Sequence, residues 1–189
     1  MKSIVLASAS PRRKELLHQI GLEFICHPAT GEEHASAVLP QEVVQELARQ
    51  KAMEVSESYP DAIIIGADTV VSYDGRILGK PKDRAHAKQM ITMLQGQTHQ
   101  VYTGVCLVVM QEGGMVDEIG FVQETSVEMY AMSPEEIDAY TASGEGDDKA
   151  GAYGIQGACA AYIKGISGDY YNVVGLPVGR LYQEIKKWL

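Results

Sequence analysis

Residues 62–73 read AIIIGADTVVSY. An apolar run this long has almost no polar face to offer water, so it suits a strand covered on both sides, as in a sheet flanked by helices. Asp74-Gly75 follows as a hairpin signal, and RILG returns. The rest of the chain agrees with that reading. SIVLA (3–7) and LEFIC (22–26) are short strand candidates. Residues 11–20 place Leu16, Leu17 and Ile20 at helical spacing before Gly21. Pro40 to Tyr59 carries a broad apolar face through Val44, Leu47, Ala48 and Val55, and Pro81 to Leu94 predicts another helix. Residues 100–110 and 120–132 predict two long strands joined through Gly113-Gly114. SPEE (133–136) is a capping box opening a helix to about Ser143. AAYIKGI returns to strand character, and LPVGRLYQEIKKWL closes as an amphipathic helix. Early alternation of strands and helices followed by a long hairpin predicts an α/β class with a mixed sheet. No repeat or linker divides the 189 residues, so a single domain over 1–189 is expected.

ASASPRRKELL (7–17) predicts a helix start with Ser10 as N-cap and Pro11 in the first turn. Arg12, Arg13 and Lys14 then crowd the positive end of the helix dipole, where each cation is misplaced by roughly 0.3–1 kcal/mol. A strand, a small-residue turn and a helix N-terminus form a ready anion site, and Ser8 and Ser10 add hydroxyls. A bound polyanion reverses the penalty. Successive helical residues diverge by about 100°, so one or two of the three cations would face it. Taken alone, the segment also describes a solvated basic turn.

Asp68 follows a run read as fully buried. A carboxylate ending a buried strand needs a partner, a hydrogen bond or a metal, which makes it a candidate base or ligand; a turn-forming Asp is the plainer alternative. In GKPKD (79–83), Pro81 restricts Lys80 to extended backbone, and Lys80 can serve a phosphate or stand as a surface lysine. Glu32 and Glu33 lie in an irregular stretch, either solvated or, if it folds over the anion site, supplying a carboxylate for a hard ion. DKAGAYGIQG (148–157) is glycine-dense, and Gln156 could meet a nucleobase edge; a plain connector is the alternative. The five histidines have no ligand spacing and are read as non-catalytic. Cys26, Cys106 and Cys159 are read as reduced core residues. The net charge of −9 argues against nucleic-acid or anionic-membrane binding. Met1-Lys2 before SIVLA resembles the start of a secretory signal, but the apolar run is too short. A cytoplasmic protein is expected.

LASASPRRKELL, IIIGADTVV, LGKPKD, DKAGAYGIQG and GDYYNVVGLP, in that order, together closely resemble the Maf family of nucleoside triphosphate pyrophosphatases over nearly the whole chain. The resemblance implies an elongated α/β fold: a mixed sheet flanked by helices, in two lobes with a central cleft, related to the inosine triphosphate pyrophosphatases. It implies hydrolysis of a nucleoside triphosphate to the monophosphate and pyrophosphate with a divalent ion, Mg²⁺ or Mn²⁺. It assigns catalysis to Asp68, Glu33, Lys51 and Lys80, with Asp68 and Glu33 also as metal ligands, and substrate binding to Ser8, Arg12, Arg13, Thr69 and Gln156. The sequence does not separate Glu33 from Glu32. The arginine pair after SP, with GADT and AYGIQG, resembles the branch acting on dTTP and UTP, with modified pyrimidine nucleotides as further substrates in pool cleansing. Two alternatives stay open: a non-catalytic nucleotide-binding regulator of cell division, and the same chemistry on 7-methyl-GTP. A homodimer is the oligomer to test, with the long hairpin as its candidate surface.

Overall fold

A computed structural model describes residues 2–189; Met1, the first residue of the signal-like start, lies outside them. In chain order the elements are β1 (Ser3–Leu6), α1 (Pro11–Gln19), β2 (Ile25–Cys26), α2 (Pro40–Ser56), β3 (Ala62–Tyr73), β4 (Arg76–Leu78), α3 (Arg84–Leu94), β5 (Thr98–Gln111), β6 (Gly114–Met129), α4 (Pro134–Ala142), β7 (Ile163–Ser167), α5 (Tyr170–Val174) and α6 (Val178–Ile185). Two 3₁₀ turns, Ala150–Ala152 and Ala158–Tyr162, precede β7. Among the described residues one seven-stranded sheet has the order β2-β1-β3-β5-β6-β7, with β4 paired to β3. β1 runs parallel to β2 and β3, while β4 pairs antiparallel with β3 and β7 with β6. The mixed α/β class is as expected.

The chain forms two compact units. The first comprises the chain up to Asp68, Thr103–Gln123 and Gly175–Leu189; the second comprises Thr69–Tyr102 and Glu124–Val174. The first has a core of Val5, Ala7, Ala48, Ala52, Val55, Ala62, Ile64, Cys106 and Val108. The second is built around Val71, Met90, Ile91, Leu94, Val101, Val127, Met129 and Ile137, with Tyr140, Tyr153 and Cys159.

Several boundaries differ from the sequence reading for local reasons. β2 is only two residues long, with both side chains exposed. Cys26 is therefore not a core residue; its Sγ donates to the Ser8 carbonyl at 3.3 Å. Burial pushes the thiols of Cys106 and Cys159 up to about 12, which makes them inert. Helix α3 starts later than Pro81 because Asp83 is the N-cap, its carboxylate accepting from the His86 N–H at 2.7 Å. AAYIKGI splits between a 3₁₀ turn and β7. The expected capping box forms in full, with Ser133 and Glu136 each accepting from the other's N–H. Asp74 (φ 49°) and Gly75 (φ 70°) make the two-residue turn between β3 and β4.

Candidate active site

Asp68 lies in the middle of β3, not at its end. Side chains alternate along a strand, so Asp68 shares a face with Gly66. A Cβ on Gly66 would stand 2.1 Å from the Ala48 carbonyl oxygen and 2.8 Å from the Ala52 nitrogen. The α2 backbone therefore lies directly against β3, a distance only glycine allows. Gly104 repeats the device on β5, where a Cβ would meet the Val44 carbonyl oxygen at 2.3 Å.

Lys51 follows Ala48 by three positions on α2 and sits beside Ala52, so it projects on the side that faces β3. Its Nζ donates to Asp68 Oδ1 at 2.6 Å and pairs with Glu33 Oε1 at 3.1 Å. The Lys51 and Asp68 side chains are only 15% and 14% exposed, against 53% for Glu33. Removing one member of the inner pair would leave a poorly hydrated charge, which costs far more than losing a surface ion pair.

Glu33 reaches Lys51 because helix α2 holds the irregular stretch before it. Glu54 accepts from the Thr30 and Gly31 N–H groups at 2.7 and 3.1 Å. Gln50 accepts from the His34 N–H at 3.2 Å. Glu46 accepts from Ser36 and Ala37 N–H at 2.8 and 3.1 Å and from the Ser36 hydroxyl at 2.7 Å. Positions 46, 50 and 54 form one stripe on the helix. Glu32 instead pairs with His34 at 3.5 Å, both well exposed, so the geometry brings Glu33, not Glu32, to the centre. The sequence reading missed the stripe.

The cationic helix start contributes from α1. Ser10 occupies the N-cap position, but its side chain makes no capping bond. The buried Ser8 Oγ accepts from the Ser10 N–H at 3.3 Å and from Arg13 Nη1 at 3.0 Å. Arg13 Nε donates to the Gly175 carbonyl at 2.8 Å, which gives the GDYYNVVGLP stretch a structural role. Burial pulls the Arg13 guanidinium below its ordinary value; Asp68 and Glu33 oppose that shift and Arg12 adds to it. Arg13 thus lies within the field of both carboxylates. Arg12 and Lys14 are half-buried on the same turn.

Lys80, Thr69 and Gln156 belong to the second unit. Thr69 is half-buried on β3, while Lys80 and Gln156 are exposed. The Gly151 N–H donates to the Gly79 carbonyl at 3.1 Å, tying the glycine-rich stretch to the residue before Lys80. Gly151 takes φ +68°, and a Cβ there would meet Val71 at 2.9 Å. Tyr153 OH lies 2.7 Å from His99 Nε2 in the core. Burial brings His99 down to about 4, so it is neutral. Glu145 accepts from the Ala158 N–H at 2.7 Å and the Tyr140 hydroxyl at 3.1 Å. A Cβ on Gly157 would lie 2.4 Å from that carboxylate. Sequence reasoning missed Glu145, whose role is visible only through these backbone contacts.

Asp68 and Glu33 offer hard carboxylate oxygens of the kind Mg²⁺ takes. Among the described residues no group of three or more His, Cys, Asp or Glu forms a cage. Two carboxylates would leave the remaining positions of such an ion to other oxygens. Among the described residues no helix is long and apolar enough to cross a membrane.

The model of the family described as Maf-like protein matches residues 3–188. A dTTP/UTP pyrophosphatase of Agathobacter rectalis is 54% identical, with 99% of this chain and 98% of that protein covered. A dTTP/UTP pyrophosphatase of Lachnoclostridium phytofermentans is 48% identical, covering 100% and 96%. Among solved structures, a HAM1 protein from Coxiella burnetii superimposes with a TM-score of 0.52 at 15% identity, covering 99% and 100%, a likeness of fold.

Proposed function

The chain belongs to the Maf family, and from that premise we propose that it hydrolyses dTTP, UTP and modified pyrimidine nucleoside triphosphates to the monophosphate and pyrophosphate. The observation that carries the reading is the paired centre of Lys51, Asp68 and Glu33 beside the Ser8–Arg13 anion site, in a chain about half identical to dTTP/UTP pyrophosphatases over its length.

In this reading water attacks the α-phosphorus. Its oxygen joins the nucleotide, the bond between the α-phosphorus and the α–β bridging oxygen breaks, and pyrophosphate leaves with the bridging oxygen. Asp68 takes the proton of the attacking water. Lys51, Arg12, Arg13 and Lys80 balance charge that builds on the phosphates, and Ser8 holds the Arg13 guanidinium in place. Asp68 and Glu33 would hold a divalent ion, Mg²⁺ or Mn²⁺, whose chemistry is to withdraw charge from phosphate oxygens. Arg12, Thr69 and Gln156 discriminate the base, because a wrong edge leaves their polar atoms unpaired.

The proposal takes residues 1–189 as one functional domain of a cytoplasmic protein that binds no nucleic acid or membrane, with a homodimer to be tested by sedimentation. The deciding experiment is a panel of nucleoside triphosphates with Mg²⁺ and product identification. Pyrophosphate from UTP and dTTP is expected; release of single phosphate, or no turnover with any divalent ion, overturns the reading. Competition between UTP and 7-methyl-GTP in one reaction decides the base.

A further inference from the structure

Lys51 Nζ stands within hydrogen-bond distance of an oxygen of Asp68 and an oxygen of Glu33, at 2.6 and 3.1 Å. Those two carboxylates are the ones that would hold a divalent ion. The ammonium already bridges them. Arg13 adds a second positive charge in the field of both acids. The Lys51 ammonium thus already offsets part of the negative charge that would attract a bare divalent ion. Such an ion would also lie against the ammonium, in surroundings where Lys51 and Asp68 are mostly shielded from water and like charges repel strongly.

We infer that Lys51 is the resident cation of the Asp68–Glu33 pair, so that the free protein takes up a divalent ion poorly and the ion enters together with the nucleotide. The inference rests on the reading of Asp68 and Glu33 as metal ligands given above. A triphosphate supplies new acceptors for the ammonium, and lysine suits the exchange: a compact charge on a flexible four-carbon stem can leave one set of oxygens for another. Arg13 is fixed by Ser8 and the Gly175 carbonyl and cannot follow in the same way. The device has a chemical use. Asp68 and Glu33 stay paired when no substrate is bound, and their ligand capacity is released only when phosphate is present.

The test titrates Mn²⁺ alone into nucleotide-free protein and follows the free ion by electron paramagnetic resonance. Weak binding by the native chain is expected. Lys51→Met should bind Mn²⁺ about tenfold more tightly, while its affinity for α,β-methylene-UTP, measured without metal, should fall. Lys51→Arg retains the charge and should stay as weak for Mn²⁺ as the native chain. Micromolar binding of Mn²⁺ by the native protein overturns the inference without any variant. So does a Lys51→Met protein that binds Mn²⁺ no better than the native chain while Glu33→Gln weakens that binding, which leaves the metal-ligand reading standing. Adding Glu33→Gln to Lys51→Met should abolish the gain. A gain that survives removes the metal-ligand reading itself, and the inference with it.

Discussion

In the unit that holds Asp68, the candidate side chains are bonded to one another: Lys51 to Asp68 and Glu33, and Arg13 to Ser8. In the unit that holds Lys80 and Gln156, those two side chains are exposed, and the fixed bonds run through backbone around them. Gly151 binds Gly79, Glu145 holds the Ala158 N–H, and Tyr153 meets His99. The first arrangement places charge before substrate arrives, which is how a site limits reorganisation during reaction. The second fixes a frame and leaves Lys80 and Gln156 in water. Chemistry needs preset electrostatics, whereas base discrimination needs only a well-placed donor and acceptor.

The contrast can be broken most directly at Asp68. Asp68→Asn keeps the shape and should lower kcat for UTP about 100-fold to 10,000-fold, the range for losing a general base, and should also lower Tm, because the Lys51 ammonium loses its buried partner; steady-state kinetics and thermal melting check both. Unaltered kcat removes the chemical role of the paired centre. Gly66→Ala attacks the same centre through its packing. The new Cβ would meet backbone at 2.1 Å, and a loss of about 3 kcal/mol is expected. Denaturant unfolding reads it, and a midpoint equal to that of the native chain would mean α2 can move off β3.

Smaller effects test the frames. Gln156→Ala should leave turnover of a good substrate largely intact and reduce discrimination between UTP and a purine triphosphate by about tenfold; competition assays read the ratio. Glu54→Ala frees the Thr30 and Gly31 N–H groups and should loosen the stretch carrying Glu33. Faster cleavage within residues 27–39 by a protease is the expected sign, with a loss of activity of several-fold.

His99 offers the mildest probe, through pH. Its folded value of about 4 lies below the ordinary 6.5 because of burial. The unfolded chain therefore binds more protons between those values. The stability contributed by neutral His99 is complete above pH 6.5 and is lost as pH falls toward 4. The loss between pH 8 and pH 5 is about 2 kcal/mol. Unfolding curves across that range should flatten in His99→Gln, and a slope unchanged in the variant assigns the effect to other groups.

Much of the fold was legible because its signals are local. The apolar run before Asp68 becomes most of β3, SPEE becomes a closed capping box, and Asp74-Gly75 turns the hairpin. The two-residue β2 and the exposure of Cys26 were not legible, because LEFIC has strand composition whether or not anything covers Ile25 and Cys26. The site was partly legible. Asp68, Lys51 and Glu33 were drawn together by family resemblance, while the stripe of Glu46, Gln50 and Glu54 and the brace at Glu145 were overlooked. Their partners are backbone N–H groups, which every residue carries and no sequence pattern marks.

By itself, then, the sequence determined the class of fold, the helix and turn boundaries set by capping and glycine, and the family to which the chain belongs. Each of these depends on residues near one another along the chain or on a motif kept whole. Only the tertiary structure decided that Glu33, not Glu32, reaches Lys51, that Arg13 turns inward to Ser8 and Gly175, and that Lys51 bridges two carboxylates. The Lys51 bridge depends on how closely α2 can lie on β3. That distance is set by the missing Cβ of Gly66 against the Ala48 carbonyl, eighteen positions away in the chain, a contact that exists only once both elements are packed.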